Sequence, residues 1–365
     1  MRIQIRTALI AVLLVVSLVG VVTPIGAQTG AEDPAQCMFP FSETDATGTN
    51  VTIEERPERI VVLQPSAAQT VWELDADDRV VGAPVVTYTE YLDGIEEKTN
   101  VLNADEFSVN QEAVVELEAD IVLAPNVVPD DTVESLREAD QTVFKFDFGT
   151  SLEFVAAKTE LTGQLIGSCA EAETVNDEYW DRIETVKAEA ESYDSPNVLY
   201  YTDGFAAGSG TFIGEILTTA GGVNVAAENG IDGYGEVNEE ALIEWNPDVI
   251  VVSDDGPGIP DSAAFESTFA VQNDQVAVVN GNYLSQPAPR VAIALEEVAA
   301  ALADAETAES SQPAETDDSN ESTESADPTD SAEPTTEGTE DTPGFGVGVA
   351  LIALLSAALL ARRFR

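Results

Sequence analysis

Two residue types that often carry catalytic chemistry, histidine and cysteine, are absent or scarce in this sequence. Its 365 residues include no histidine and only two cysteines, Cys37 and Cys169, and they contain neither a Gly-x-Ser-x-Gly turn nor a phosphate-binding loop. An enzyme needs a nucleophile with a base, or a metal that activates water. Without imidazole, the chain is also poorly suited to binding a bare transition metal. The sequence therefore predicts a non-enzymatic protein that has no metal site and no cofactor.

Polar and aromatic side chains that follow predicted strands indicate ligand binding instead. In parallel α/β sheets, ligands bind outside the carboxyl ends of the strands. This rule selects Ser66 and Gln69 after the first strand, Asn126 after a later strand, and Phe205 in an Asp-Gly-Phe segment. We expect these side chains to surround a ligand cleft.

Aromatic side chains in irregular, Gly- or Pro-rich segments are further candidates. Tyr88, Tyr91, Tyr234 and Tyr283 lie in such segments and could stack on a flat ligand. Arg290 could meet an acidic group of the ligand. Each tyrosine could instead serve local packing, and Arg290 could simply balance surface acids.

The elements that must position these residues alternate along the chain. Strands are predicted at 59–65, 80–83, 120–125, 143–146, 197–201, 248–252 and 276–279. Helices are predicted at 66–74, 110–117, 132–139, 151–166, 170–192, 212–220 and 290–302. Alternation of apolar runs with amphipathic stretches is typical of α/β proteins. It predicts two Rossmann-like lobes with parallel sheets, joined by a single rigid helix.

An internal repeat supports this duplication. Residues 110–120 and 238–248 share five of eleven residues at identical spacing, including Glu112 and Glu240, and an apolar strand follows each segment. Two unrelated amphipathic helices could also agree this well by chance.

The charge indicates the environment of the protein. Asp and Glu number 68 against 15 Lys and Arg, which gives a net charge of −53, while hydrophobic residues make up 44%. In molar salt the Debye length falls to about 3 Å, so the self-repulsion of such a surface is screened. A folded protein of an extreme halophile is expected, and a nucleic-acid partner is excluded because phosphates require basic surfaces.

The first residues are typical of a secretory signal. Arg2 and Arg6 precede an apolar run over 8–22, and small residues follow near Ala27. In an oxidising exterior, Cys37 and Cys169 are expected to form a disulfide, although free thiols remain an alternative. Asn50 and Asn320 lie in glycosylation sequons, which agrees with export.

The last sixty residues are expected to anchor the protein. Residues 304–342 are mostly Asp, Glu, Ser, Thr, Pro and Ala, a composition that predicts an extended stalk. A Pro-Gly-Phe triplet at 343–345, an apolar stretch and a basic end follow. This arrangement resembles the haloarchaeal sorting signal at which an archaeosortase cuts and a membrane lipid replaces the removed helix. A retained transmembrane helix is the alternative, and both give an outer-surface location.

The predicted organisation has seven parts. They are a signal peptide (1–27), an N-terminal extension (28–50), an N-lobe (51–150), a linking helix (151–168), a C-lobe (169–303), an acidic stalk (304–342) and a sorting or membrane segment (343–365).

Several motifs in this order resemble one family of exported proteins. They are the strand Ile60–Pro65, the strand starts at Asp120 and Asp248, the segments 211–213 and 220–224, and the helix between the lobes. Over about residues 51–302 the chain resembles the cobalamin and ferric-siderophore class of periplasmic binding proteins. The resemblance implies two lobes bridged by a rigid helix, with the ligand between them.

The resemblance also implies partners and a cargo. Proteins of this class deliver their ligand to an ABC permease driven by a separate ATPase, and each lobe presents a glutamate that pairs with permease arginines. Glu112 and Glu240 occupy the matching positions, although an acid in a first helical turn is also favoured by the helix dipole. The ligand is a corrinoid or a ferric siderophore, and the shortage of basic residues favours the corrinoid. A surface protein with an adhesive role, unrelated to transport, is the alternative.

Overall fold

The computed structural model describes residues 36–104 and 107–305. The predicted signal peptide, the stalk, the sorting segment and Asn320 lie outside the described residues. No helix within the described ranges is long and apolar enough to cross a membrane.

The strands and helices follow the predicted alternation. The strands are β1 Phe41–Thr44, β2 Asn50–Ile53, β3 Ile60–Val62, β4 Val80–Ala83, β5 Thr99–Asn100, β6 Ile121–Ala124, β7 Val143–Lys145, β8 Asn197–Thr202, β9 Phe205–Ala207, β10 Val223–Asn224, β11 Tyr234–Glu236, β12 Val249–Ser253 and β13 Val276–Val279. The helices are α1 Pro65–Glu73, α2 Gln111–Glu116, α3 Asp130–Glu138, α4 Leu152–Ile166, α5 Cys169–Ala190, α6 Phe212–Thr219, α7 Val225–Glu228, α8 Glu239–Trp245, α9 Ala263–Glu266, α10 Phe269–Gln272, α11 Gly281–Leu284 and α12 Val291–Ala303.

The first sheet has five parallel strands in the order β5-β4-β3-β6-β7. Its central strand β3 is fully buried, and successive side chains enter different hydrophobic clusters. Ile60 and Val62 pack on one side, and Val61 packs on the other. Burial on both faces explains why this strand reads as a continuous apolar run.

The second sheet differs from the predicted parallel arrangement at one edge. β10, β8, β12 and β13 are parallel, but β9 and β11 run antiparallel to their neighbours. The reversal occurs at Asp203 and Gly204, which both have positive φ angles, +44° and +90°. Two central residues with positive φ form the tight turn that suits a β-hairpin. Asp-Gly is a strong hairpin signal in a sequence, but the prediction of a parallel sheet did not take it into account.

A short hairpin of β1 and β2 precedes the first sheet and packs against it. Val51 and Ile53 belong to one core cluster of that sheet, and the backbone amide of Ala46 donates to the carbonyl of Lys145 at 2.9 Å. Residue 51, where the N-lobe was predicted to begin, therefore lies inside β2. Asn50, the predicted glycosylation site, is exposed on the same strand.

Helix α4 connects the hydrophobic cores of the two sheets. Leu152 and Val155 near its start pack in the core of the second sheet, while Leu165 and Ile166 near its end pack in the core of the first. The side chain of Ser151 caps its first turn by accepting from the amide of Phe154 at 3.0 Å.

The predicted disulfide is confirmed. Cys37 and Cys169 are bonded, with their Cα atoms 5.4 Å apart and 132 residues apart in sequence. The bond ties the segment before β1 to the first residue of α5. On the entropic account, closing so long a loop stabilises the fold by about 4 to 5 kcal/mol.

Candidate functional site

Exposed apolar side chains lie beyond the carboxyl ends of first-sheet strands. Phe107, Val127 and Phe148 follow β5, β6 and β7, and they are 44%, 55% and 73% exposed. Exposed large apolar side chains at strand ends are candidates for a binding surface. We refer to these three residues as the rim. These three residues were not predicted from the sequence, because phenylalanine and valine near a strand end resemble ordinary core residues there.

Other predicted ligand residues lie at strand ends or inside the second sheet. Asn126 is half-buried directly after β6, and Phe205 is half-buried at the start of β9. Tyr234, in β11, packs against the core of the second sheet, and burial raises the pKa of its phenol. The structure therefore leaves Asn126 and Phe205 at strand ends, whereas Tyr234 is largely a packing residue.

Four of the other candidates, Gln69, Tyr91, Tyr283 and Arg290, meet in a contact between the two halves of the chain. Side chains from α1 and the segment before β5 contact side chains from α11 and the segment that leads into α12. We refer to this contact as the seam, which consists of Gln69, Glu73, Tyr91, Tyr283, Gln286 and Arg290.

Hydrogen bonds run across the seam. The amide of Gln69 donates to the Tyr91 hydroxyl at 2.8 Å, and that hydroxyl donates to Oε1 of Gln286 at 2.9 Å. The backbone amide of Arg290 donates to Oε1 of Gln69 at 2.9 Å. Gln286 also donates to the backbone carbonyl of Tyr88 at 3.1 Å. Since Gln69 is fully buried, its amide is committed to the protein itself.

An ion pair and aromatic rings complete the seam. Nε of Arg290 lies 2.6 Å from Oε1 of Glu73, and the guanidinium carbon lies 5.2 Å from the ring centre of Tyr91 and 5.7 Å from that of Tyr283. The two rings meet edge to face at 5.5 Å. Burial acts to lower the pKa of Arg290, but Glu73 more than offsets this effect, so the pKa lies above its ordinary value.

A buried lysine of α4 lies between the same two halves. Nζ of Lys158 lies 3.0 Å from the carbonyl oxygen of Pro287 and 3.3 Å from Oγ of Ser66. Burial lowers the pKa of Lys158 to about 7. Ser66 is itself buried, so the structure places this predicted ligand residue against Lys158.

The basic groups near the strand ends are engaged by the protein. Lys145, at the end of β7, pairs with Asp130, and Arg137 pairs with Asp45. On the second sheet, Asp254 and Asp255 follow β12 and are exposed. Among the described residues, no cluster of three or more potential metal ligands is found. The lysine at the end of β7 is therefore neutralised by the protein itself, and the strand end of β12 carries exposed acids.

A cavity of about 550 Å³ lies elsewhere, beside the disulfide. It is lined by residues 36–38 and 40–42 and by residues of α4 and α5, including Glu160, Glu173 and Asp177. None of the predicted ligand residues lines it, so it is separate from the rim and from the seam.

The internal repeat has the same local geometry in both copies. Asn110 and Asn238 cap α2 and α8 by accepting from the third following amide, at 3.1 and 2.8 Å. Asp120 accepts from the amides of Glu58 and Arg59, just ahead of β3, and Asp248 accepts from the amide of Asn197, the first residue of β8, all at 2.8 Å. The shared residues therefore fix the start of each helix and of the strand that follows it. Glu112 and Glu240 are exposed in the first turns of the two helices.

Two α/β sheets joined through α4 form the fold, and exposed apolar side chains follow the ends of first-sheet strands. Residues 60–283 match the periplasmic binding protein family, and the chain belongs to that family. A cobalamin-binding protein of Halobacterium salinarum is 42% identical over 372 residues, which cover 97% of this chain and 98% of that protein. Membership of this family confirms the non-enzymatic prediction.

Solved structures share the fold. The apo form of the periplasmic heme-binding protein RhuT from Roseiflexus sp. RS-1 gives a TM-score of 0.61 at 24% identity, covering 68% of this chain and 98% of that one. The periplasmic vitamin B12 binding protein BtuF of Vibrio cholerae gives 0.58 at 24% identity, covering 67% and 96%. At this identity the likeness concerns the fold alone.

The C-terminal sorting signal is also confirmed. Residues 342–363 match the PGF-CTERM motif. The protein is therefore held at the outer cell surface through its C-terminal end.

Proposed function

We propose that the protein captures a corrinoid, such as cobalamin, between two lobes and delivers it to an ABC permease. The observation that carries this proposal is the 42% identity to a cobalamin-binding protein over almost the full length of both chains. The first lobe would comprise the first sheet and its helices, and the second lobe would comprise the second sheet. The corrinoid would be transported cargo and not a cofactor.

The chemistry of the strand ends supports a corrinoid over an anionic ferric siderophore. A corrin ring offers a broad apolar face, which Phe107 and Phe148 could cover by burying their exposed rings. An anionic chelate would need basic partners, and Lys145, the lysine at this edge, is paired with Asp130. The exposed aspartates after β12 would repel such a ligand further.

The proposed contacts differ from those expected from the sequence alone. We keep Asn126 and Phe205 as polar and aromatic contacts and add the rim. Tyr88 stays a candidate, since it is half-buried in the loop after β4. The seam residues and Ser66 are assigned to contacts within the protein.

Calorimetric titration of the purified protein in molar salt tests the ligand. Saturable one-to-one binding of cobalamin is the expected result. Binding of a ferric hydroxamate with no response to cobalamin would assign the protein to iron uptake. If neither cobalamin, ferric hydroxamate nor haem binds, an adhesive surface role would be favoured.

Delivery to the permease is proposed to use Glu112 and Glu240. Both are exposed, and they occupy equivalent positions in the two copies of the repeat. Reversing both charges, in E112K/E240K, should abolish cobalamin uptake by cells and leave cobalamin binding unchanged. Reversing two other exposed acids, in E138K/E228K, should alter neither. Normal uptake by E112K/E240K would refute the docking assignment.

A further inference from the structure

We propose that the seam is a lock that sets the distance between the two lobes, and that Arg290 is a positioning residue and not a ligand contact. This inference rests on the proposed two-lobed binding function. It assigns a role to Glu73, Gln69, Gln286 and Arg290 that the family resemblance does not supply.

The lock draws its contacts from distant parts of the chain. Arg290 meets Glu73 across 217 residues of sequence, and it meets Gln69 across 221. One partner of each pair lies in α1, which follows the central strand of the first sheet. The other lies at the start of α12, which packs in the core of the second sheet. Any change in the separation of the two sheets must therefore stretch these contacts.

Replacing the lock contacts by water is expected to cost free energy, because the lock is enclosed. Gln69 is fully buried and Gln286 is 7% exposed, so parting them leaves amide groups without partners unless water enters. Burial raises the pKa of Tyr91 to about 12, so its hydroxyl keeps the proton that it donates to Gln286. The two sides are thus held by groups whose donors and acceptors match.

A second Arg–Glu pair provides an internal control. Nη1 of Arg182 lies 2.8 Å from Oε2 of Glu296, but both residues lie in helices that pack with the second sheet, α5 and α12. Their side chains are 46% and 39% exposed, compared with 24% and 27% for Arg290 and Glu73. Molar salt screens exposed pairs strongly and enclosed pairs much less. The seam pair is therefore the one that should retain its strength in the medium expected for this protein.

The lock explains why Arg290 is unsuited to contact the ligand. Its head group is held by Glu73 and lies near the rings of Tyr91 and Tyr283. Recruiting it to a ligand would break the ion pair that joins the lobes. We infer that its effect on affinity is indirect and operates through the width of the cleft.

The test measures lobe separation and cobalamin affinity in the same variants. Spin labels carried by unnatural amino acids at the exposed positions Glu134 and Glu266 report the separation without disturbing the disulfide. The variant E73Q should broaden the distance distribution of the ligand-free protein and weaken cobalamin binding by about tenfold, since part of the binding energy must then restore the fixed separation. The control E296Q should change neither.

Two further variants separate the lock from a general loss of structure. R290K keeps the positive charge but loses the planar guanidinium group that can donate two hydrogen bonds side by side. Its distance distribution and cobalamin affinity are expected to lie between those of the wild type and E73Q. The charge-swapped variant E73R/R290E should recover a narrow distribution and most of the affinity.

Each outcome bears on a different claim. A distance distribution in E73Q as narrow as in the wild type would overturn the lock. If cobalamin does not bind the wild-type protein, the proposed function fails, while the distance measurement still decides the lock. If E73Q weakens cobalamin binding but E73R/R290E does not restore it, Arg290 contacts the ligand directly and the positioning role is refuted.

Discussion

Aromatic side chains occur in both the seam and the rim, but those of the seam are half-buried and those of the rim are exposed. Both contain aromatic side chains in segments outside the strands. In the seam, however, Tyr91 and Tyr283 pack on one another and on Arg290, whereas Phe107 and Phe148 of the rim are 44% and 73% exposed. An aromatic residue in a loop is thus not by itself a ligand contact. The two groups differ in how far each ring is exposed to solvent.

The same contrast extends to polar groups. Lys158 lies fully buried between the two halves of the molecule, and its hydrogen-bonding partners are Ser66 and a backbone carbonyl. A lysine in such a place is costly when it is protonated. Because of this lysine, the contribution of the region to folding stability depends on pH, whereas the apolar side chains of the rim do not titrate.

The largest expected effect is on stability at neutral pH, in the variant K158M. The folded pKa of Lys158 is about 7 and the unfolded value is about 10.4, so the unfolded chain binds more protons between these values. The group therefore lowers stability fully below pH 7, and this penalty disappears as the pH rises towards 10.4. After allowance for lost hydrogen bonds, K158M should be more stable than the wild type by about 3 kcal/mol at pH 7.

Urea unfolding in molar salt at several pH values measures this difference. Above pH 7 the advantage of K158M should shrink by about 1.4 kcal/mol per pH unit, and it should vanish at about pH 9. Replacement of the exposed Lys187, in K187M, provides the control and should give no such trend. A difference that is constant with pH would show that Lys158 is hydrated and that this region is open to water.

The rim should affect binding instead of stability. Removing two exposed rings, in F107A/F148A, is expected to weaken cobalamin binding by about 10- to 100-fold, since each ring could bury a large apolar area on the ligand. Its free energy of unfolding should stay within about 0.5 kcal/mol of the wild type. The variant V278A removes an exposed apolar side chain from β13 and should alter neither quantity. Unchanged affinity in F107A/F148A would place the ligand away from the rim.

Much of the fold could be predicted because local patterns specify it. The strand at 80–83 agrees residue for residue with β4, and the helix starting at Ser151 matches α4 with its serine cap. The repeat at Asn110 and Asn238 was visible because each asparagine meets the same local need, a cap for a first helical turn. Such interactions span only a few residues, so the sequence displays them directly.

The seam could not be predicted from the sequence because its contacts are not local. Gln69 and Gln286 are separated by 217 residues, and no periodicity relates them. Ser66 and Gln69 were selected because ligands bind outside the carboxyl ends of parallel strands. The sequence does not show that other groups of the protein already hydrogen-bond to their side chains. The rim was missed for the opposite reason, since Phe107 and Phe148 resemble ordinary core residues in the sequence. Their position a few residues beyond a strand end was the available signal.

A moderate effect is expected from opening the seam at its centre. Q286A removes the acceptor of the Tyr91 hydroxyl and leaves the buried Gln69 amide with fewer partners. The expected loss of stability is about 2 kcal/mol, the usual penalty for unsatisfied buried polar groups. Urea unfolding tests it, with the exposed Gln272 as the matched control, where Q272A should cost less than about 0.5 kcal/mol. Equal stability of the two variants would mean that water replaces the lost hydrogen bonds of the seam without lowering the free energy of unfolding.

The smallest expected effect is on cobalamin affinity in a variant of Asn126. It tests how Asn126 differs from Gln69. Both amides were predicted as ligand contacts, but the side chain of Asn126 makes no hydrogen bond to another described residue, while that of Gln69 makes several. N126A should therefore weaken cobalamin binding about fivefold, through loss of one hydrogen bond, without changing the unfolding curve. Calorimetry and urea unfolding on the same sample separate the two quantities. If N126A instead destabilises the fold and binds normally, then the half-buried amide after β6 serves packing, and the binding surface is confined to apolar groups.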